Sequence, residues 1–160
     1  MKKGAVSILS LLTGTAIGAI GGVVATGKVI GGDESQQLAN KHLAIMKLYD
    51  RWMQTKQEGK SITDYFHAHD IKSIAIYGMS FVGQRLYEEL KNSDISVRYC
   101  IDKNATSIYS DIVIVSPEDE LENVDAIIVT AIYFYNEIEE QLEAKSNIEI
   151  MSLEDILFEL

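Results

Sequence analysis

Cysteine and proline are nearly missing: the 160-residue chain holds one of each, Cys100 and Pro117. A single thiol makes no intramolecular disulfide and no cysteine metal site, so a disulfide-stapled secreted scaffold is excluded. Histidine is scarce as well. His67 and His69 stand two apart in a stretch expected to be helical, where they point in different directions, and no distant Cys or His completes a ligand set. They and the isolated His42 read as structural or surface residues, and no metal ligand is assigned. Basic residues are few in the second part of the chain. Residues 72–160 carry 6 basic and 18 acidic groups, a formal −12, against 8 basic and 6 acidic over residues 1–71. That acidity repels a phosphate backbone and excludes a broad nucleic-acid surface.

What is present falls into three parts. Residues 4–30 read as a transmembrane anchor: from Gly4 to Gly27 there is no charge, and a helix of that length spans a hydrocarbon core of roughly 30 Å. A cleaved secretory signal is the competing reading, since Lys2-Lys3, the apolar Ile8 to Leu12 and the small residues Ala16 to Gly18 imitate its regions. Apolarity that continues through Val23, Val24, Val29 and Ile30 favours the anchor. Gly14, Gly18 and Gly22 share one helical face, a small-residue pattern of membrane helix pairs as well as of merely weak apolar helices. The lysines and Arg51 that follow the segment favour a single-pass protein with a cytoplasmic C-terminal domain.

Residues 31–60 read as a polar linker, Gly31 to Gln37, and an amphipathic helix from about Gln37, stopped by Glu58-Gly59-Lys60. Leu38, Leu43, Ile45, Met46, Tyr49, Trp52 and Met53 form its expected apolar face. Packing on the domain or oligomerisation is preferred over lying on a bilayer.

Residues 61–160 read as a small Rossmann-like α/β domain with a parallel sheet flanked by helices. Strands are expected at Ser73 to Tyr77, Ser96 to Ile101, Asp111 to Val115, Ala126 to Thr130 and Ile148 to Met151. Helix starts are signalled at Ser61, at Phe81, at Ser116-Pro117-Glu118-Asp119 and at Ser152. The organising stretch is Ile74 to Leu86, where a strand meets Gly78, Met79, Ser80, Phe81, Val82 and Gly83 before a helical pattern. In a dinucleotide turn the first glycine allows the bend, the second admits pyrophosphate and the third lets helix approach strand. Gly78 and Gly83 suit the first and third roles, and Ser80 stands in the second.

Asp102, at the end of the second strand and followed by Lys103, has the spacing of a ribose-binding acid, or else caps a turn. Thr130, Ala131 and Tyr133 fall on the same carboxyl edge. Tyr133-Phe134-Tyr135 either stacks a base or packs on the next helix. No catalytic residue emerges. Tyr87 and Lys91 have the Tyr-x-x-x-Lys spacing but lie in the helix directly after the turn, and Val82 breaks a Gly-x-Ser-x-Gly elbow at Ser80. Cys100 reads as a buried small residue.

Ile74 to Ser80, Tyr87-Glu88-Glu89-Leu90, Ile101 to Asn104, Ser116 to Leu121 and Ile127 to Ala131 together resemble Rossmann-like domains of the nucleoside-diphosphate-sugar epimerase-like kind, found in bacterial surface-polysaccharide proteins. They are similar to the N-terminal sugar-nucleotide-binding domain of sugar acetyltransferases and the C-terminal domain of sugar C-methyltransferases. The resemblance implies ligand contacts at Gly78, Ser80, Gly83 and Asp102, with a nucleotide sugar or NAD as the cofactor class. It covers residues 61–160 and leaves the anchor outside; with the glycine turn and no catalytic set, the leading expectation is a membrane-anchored accessory module that binds a nucleotide or nucleotide sugar in surface-glycan (polysaccharide) synthesis, with a homo-oligomer or a glycan-synthesis protein as partner. The alternatives are an NAD-dependent epimerase or reductase, and a scaffold for protein contacts that binds no ligand.

Overall fold

The structure, a computed structural model, describes residues 33–160. The expected anchor at residues 4–30 lies outside the described residues, among which no helix is long and apolar enough to cross a membrane. The chain divides into two units, Met1–His42 and Leu43–Leu160. In the first, residues 33–42 are helical, so the expected linker is corrected from Asp33 onward. The physical reason is that no glycine or proline stands between Gly32 and Gly59, and pairs such as Gln36 to Asn40, 2.9 Å apart four residues on, support a helix.

The second unit runs from Leu43 to Leu160. Its first helix, α1 (residues 43–57), buries Leu48, Trp52 and Thr55 and packs Ile45 and Tyr49 against the core. Of the expected face, Ile45, Tyr49 and Trp52 pack inward. Met46 and Met53 stay exposed, at 61% and 59%, while Leu48 is fully buried. The helix stops where Gly59 takes φ +76° and the amides of Gly59 and Lys60 reach back to the carbonyls of Lys56 and Thr55, a Schellman closure.

Five strands follow: β1 (Ser73–Tyr77), β2 (Ser96–Ile101), β3 (Ile114–Val115), β4 (Ala126–Val129) and β5 (Glu149–Ser152). All pair in parallel, in the order β3-β2-β1-β4-β5. The helices are α2 (Ile62–Ala68), α3 (Phe81–Leu90), α4 (Tyr135–Glu143) and α5 (Leu153–Glu159). Alternation within each strand separates two cores. Ile74, Ile76, Cys100, Ala126 and Ile128 pack with apolar residues of α1, α2, α3 and α5. Ala75, Tyr77, Tyr99, Ile101, Ile127 and Val129 pack with Ile138 and Leu142 of α4 and with Leu121 and Val124. Trp52 donates its indole N–H to Glu89 of α3 at 2.9 Å, and Arg51 donates to the Leu157 carbonyl of α5 at 2.8 Å. The tryptophan is therefore a core residue with its polar atom satisfied.

Two expected elements shrink. The strand from Asp111 pairs only at Ile114–Val115, and no helix follows Ser116-Pro117. The capping signals themselves form: Ser116 N–H donates to Asp119 at 2.8 Å and Glu118 N–H to Ser116 Oγ at 3.3 Å. Only residues 120–125 separate that turn from β4, too short and too acidic a run to repay helix nucleation. Side chains hold the crossover instead, with the Tyr99 hydroxyl donating to the Glu122 carbonyl at 2.7 Å and Lys145 to the Pro117 carbonyl at 2.9 Å. Burial pushes the Tyr99 phenol up to about 12.

At the amino end of the sheet, one Asp125 carboxylate oxygen accepts from the Lys72 and Ser73 amides, at 3.0 and 2.7 Å, and from the Ser73 hydroxyl at 2.8 Å. The Lys72 amide leads in holding this carboxyl below the usual carboxylate range, with the two Ser73 groups adding to it.

Two outcomes follow from this packing. Urea denaturation of Leu48→Ala should show a loss of about 2–5 kcal/mol, with Met53→Ala within about 0.5 kcal/mol of the parent. Because the folded value of Asp125 is depressed, its contribution is complete above the unfolded value of about 3.9 and disappears as pH falls through the folded one. The stability gap between the parent and Asp125→Asn, measured by urea melts from pH 6 down to pH 3, should therefore narrow in acid.

Candidate functional site

The strand order reverses between β1 and β4, and the crevice at such a reversal, beyond the carboxyl ends of the strands, is where open α/β sheets place ligands. The turn from Gly78 to Gly83 sits there. Gly78 takes φ +95°, a conformation that glycine adopts without strain. A Cβ built on Gly83 would stand 1.9 Å from the Gly78 carbonyl oxygen. The first and third glycine positions therefore do what their spacing predicts: one bends the chain, and the other lets α3 press against that bend.

Ser80 is the N-cap of α3, exposed and extended, with no side-chain capping bond. By contrast, Ser61 and Ser152 cap α2 and α5 through their side chains. A helix leaves its first amides without intrahelical acceptors, and a ten-residue helix such as α3 carries a positive partial charge at that end. Val82 and Gly83 are buried behind the turn, and Phe81 is 83% exposed at its rim.

Asp102 closes the turn from the β2 side. One oxygen accepts from the Met79 amide at 2.7 Å and the other from the Asn104 amide at 2.8 Å. The acid thus does cap turns, its own and the glycine turn, and a carboxylate with about four lone-pair sites keeps two for a ligand hydroxyl. Lys103, beside it, is exposed. From the β4 side, Thr130 is buried with its hydroxyl 2.6 Å from the Gly78 carbonyl and 3.0 Å from that of Tyr77. Thr130 is a latch on the turn, and the half-buried Ala131 follows it, within 3.4 Å of a Cβ placed at Gly78.

The aromatic run divides. Tyr135 opens α4 and packs, its hydroxyl 2.6 Å from Glu139 and 3.1 Å from the Ile150 carbonyl, whereas Tyr133 and Phe134 stay partly exposed in an edge-to-face pair. Burial raises the Tyr135 phenol above its ordinary range.

Tyr77, in the last position of β1, was not singled out by its sequence. It is 97% buried, and among the described residues its hydroxyl is the buried side-chain polar atom with no hydrogen-bond partner. Its phenol is raised by burial first and then by the carboxylates of Asp102 and Glu118, and its ring packs in the core on the α4 side of the sheet. The available signal was a phenol ending an otherwise aliphatic run, Ile74-Ala75-Ile76.

Residues of the rejected motifs are engaged elsewhere. Lys91 pairs with Glu88 at 2.6 Å, and the Tyr87 hydroxyl interacts with Asp111. His67 meets Asp94 at 2.9 Å, and His69 meets the Tyr65 carbonyl at 2.9 Å. Cys100 is fully buried, and burial pushes its thiol up to about 12, far from a nucleophile's range.

Removing Asp102 strands the amide of the buried Met79. Asp102→Ala should lose about 1–3 kcal/mol in urea melts with no ligand added, so this variant reads folding together with binding.

A family model described as C2185-like, N-terminal, matches residues 70–153, more than half of the chain and the stretch that contains the whole sheet. No curated protein and no solved structure matches the chain. The chain belongs to the C2185-like N-terminal family.

Proposed function

We propose that the second unit is a Rossmann-like binding module whose glycine turn seats the phosphate of a nucleotide or nucleotide sugar, with residues 4–30 as a single-pass anchor that leaves the module in the cytoplasm. One observation carries the seat: the amino end of α3, without a side-chain cap, stands over the left-handed Gly78 turn at the point where the strand order reverses. Helix amides and the dipole favour an anion there. The spare lone pairs of Asp102 supply acceptors for the rest of the ligand.

The groups fit a phosphate better than they fit the close pyrophosphate approach of a dinucleotide, because Ser80 puts a side chain where that approach needs glycine. The reading is of a binding and accessory role in surface-glycan synthesis, without catalysis by the module itself. No acid–base pair stands free at the turn: Asp102 holds backbone, Thr130 holds carbonyls, and Tyr87 and Lys91 lie along α3 with their own partners.

Ser80→Asp separates folding from binding, since aspartate is a good N-cap yet repels phosphate. The full-length chain should be stabilised by uridine diphosphate or UDP-glucose, by about 2.7 kcal/mol at a hundredfold excess over Kd. Ser80→Asp should keep its melting temperature and lose that gain. Thermal unfolding that no nucleotide, nucleotide sugar or NAD displaces would sink the proposal.

A further inference from the structure

The connection from β2 to β3 carries only a short 3₁₀ turn, Ala105–Ser107, where a parallel crossover commonly carries a covering helix. The flank of α3 is therefore left open, and a cleft of about 380 Å³ lies between it and Ile108 to Asp111. That volume falls within the range of small-molecule sites, roughly 300–1,000 Å³.

The lining decides what class of molecule fits. Gln84, whose side-chain amide already donates one N–H to the Met79 carbonyl at 3.3 Å, and Arg85 offer donors, Glu88 and Asp111 offer acceptors, and Ser110 offers both. An anion would meet two carboxylates against one guanidinium, in the acidic half of the chain. The Glu88 charge is shared with Lys91 at 2.6 Å, and Asp111 with the Tyr87 hydroxyl, which leaves their remaining lone pairs for neutral donors. An apolar partner would find Met79, Ile108 and two tyrosine rings set among five polar or charged side chains. Planar amide, guanidinium and carboxylate groups each reach two neighbouring hydroxyls, and the rings of Tyr87 and the fully exposed Tyr109 offer faces to C–H groups.

We propose that this cleft binds one neutral, hydroxyl-rich sugar ring, presented either as a free saccharide or as the sugar of a nucleotide conjugate. The site stands on its own lining and does not require the phosphate seat, although Met79 forms a wall common to both.

Amide chemical shifts of the full-length chain in detergent micelles test it. The probes are methyl glucoside, methyl galactoside, N-acetylglucosamine, glucuronate, uridine diphosphate and UDP-glucose. A neutral sugar should shift Gln84, Glu88, Ser110 and Asp111 saturably, and Gln84→Ala and Asp111→Asn should each weaken it about tenfold with unchanged melting temperature. Shifts of these residues by UDP-glucose but not by free sugars or uridine diphosphate assign the ring to a conjugate and support the same site. Uridine diphosphate alone reports on residues 78–83, so failure of the phosphate seat appears separately. Three results overturn the proposal: no probe shifts the cleft residues, glucuronate binds as well as the neutral sugars, or neither variant weakens binding.

Discussion

The close approach of α3 to the end of β1 is the contact on which the rest of the edge depends. It exists because Gly83 has no Cβ: a methyl there would sit 1.9 Å from the Gly78 carbonyl oxygen. That carbonyl is also the one that the Thr130 hydroxyl meets from β4, so a single backbone group joins helix, central strand and neighbouring strand. Gly78 must in turn hold φ +95° for the carbonyl to face both. Push α3 outward and three consequences come together: the turn loses its backing, Thr130 loses an acceptor, and the amino end of α3 leaves the crevice.

Asp102 works on the same turn from the other side, and its position changes what an acid at the end of β2 means. Spacing alone equates it with a ribose ligand. Its two oxygens instead accept from Met79 and Asn104 amides, so its first task is to fix the backbone that a ligand would meet. These roles are compatible, because an ionised carboxylate accepts more than two hydrogen bonds. They are not independent, and a ligand hydroxyl would be read against an acid already locked in orientation by the chain.

Much of this was legible from residue order. The strands Ser73–Tyr77, Ser96–Ile101 and Ala126–Val129 read clearly because they are apolar, largely β-branched runs, the first two ending at Gly78 and Asp102. The Gly78 and Gly83 roles read clearly because each rests on a steric rule. What failed was governed by tertiary context. Leu48 and Met46 are equally apolar, and only packing on α3 and α5 decides which is buried. The Ser116 cap formed without its helix because the distance to β4 was fixed by the sheet, not by propensity. Tyr77 and the open flank of α3 were hidden for the same reason: one depends on a hydroxyl lacking a partner in three dimensions, the other on a helix that a crossover did not form.

The charge of the domain then discriminates between its two surfaces. A −12 stretch disfavours any anion over most of its area, so an anionic group is admitted only where local donors outweigh the general field. In the proposed reading, the amino end of α3 meets that condition through backbone amides and the helix dipole, which carry no counter-charge of their own. The cleft beside α3 does not, because its single guanidinium is outnumbered by carboxylates. A molecule that joins an anionic group to a neutral polyhydroxyl ring would satisfy both surfaces at once, with Met79 between them: its amide held by Asp102, its side of the chain walling the cleft. The same arrangement penalises the reverse orientation, since an anion in the cleft and a neutral ring at the helix end would leave the carboxylates opposed and the α3 amides without an anionic acceptor.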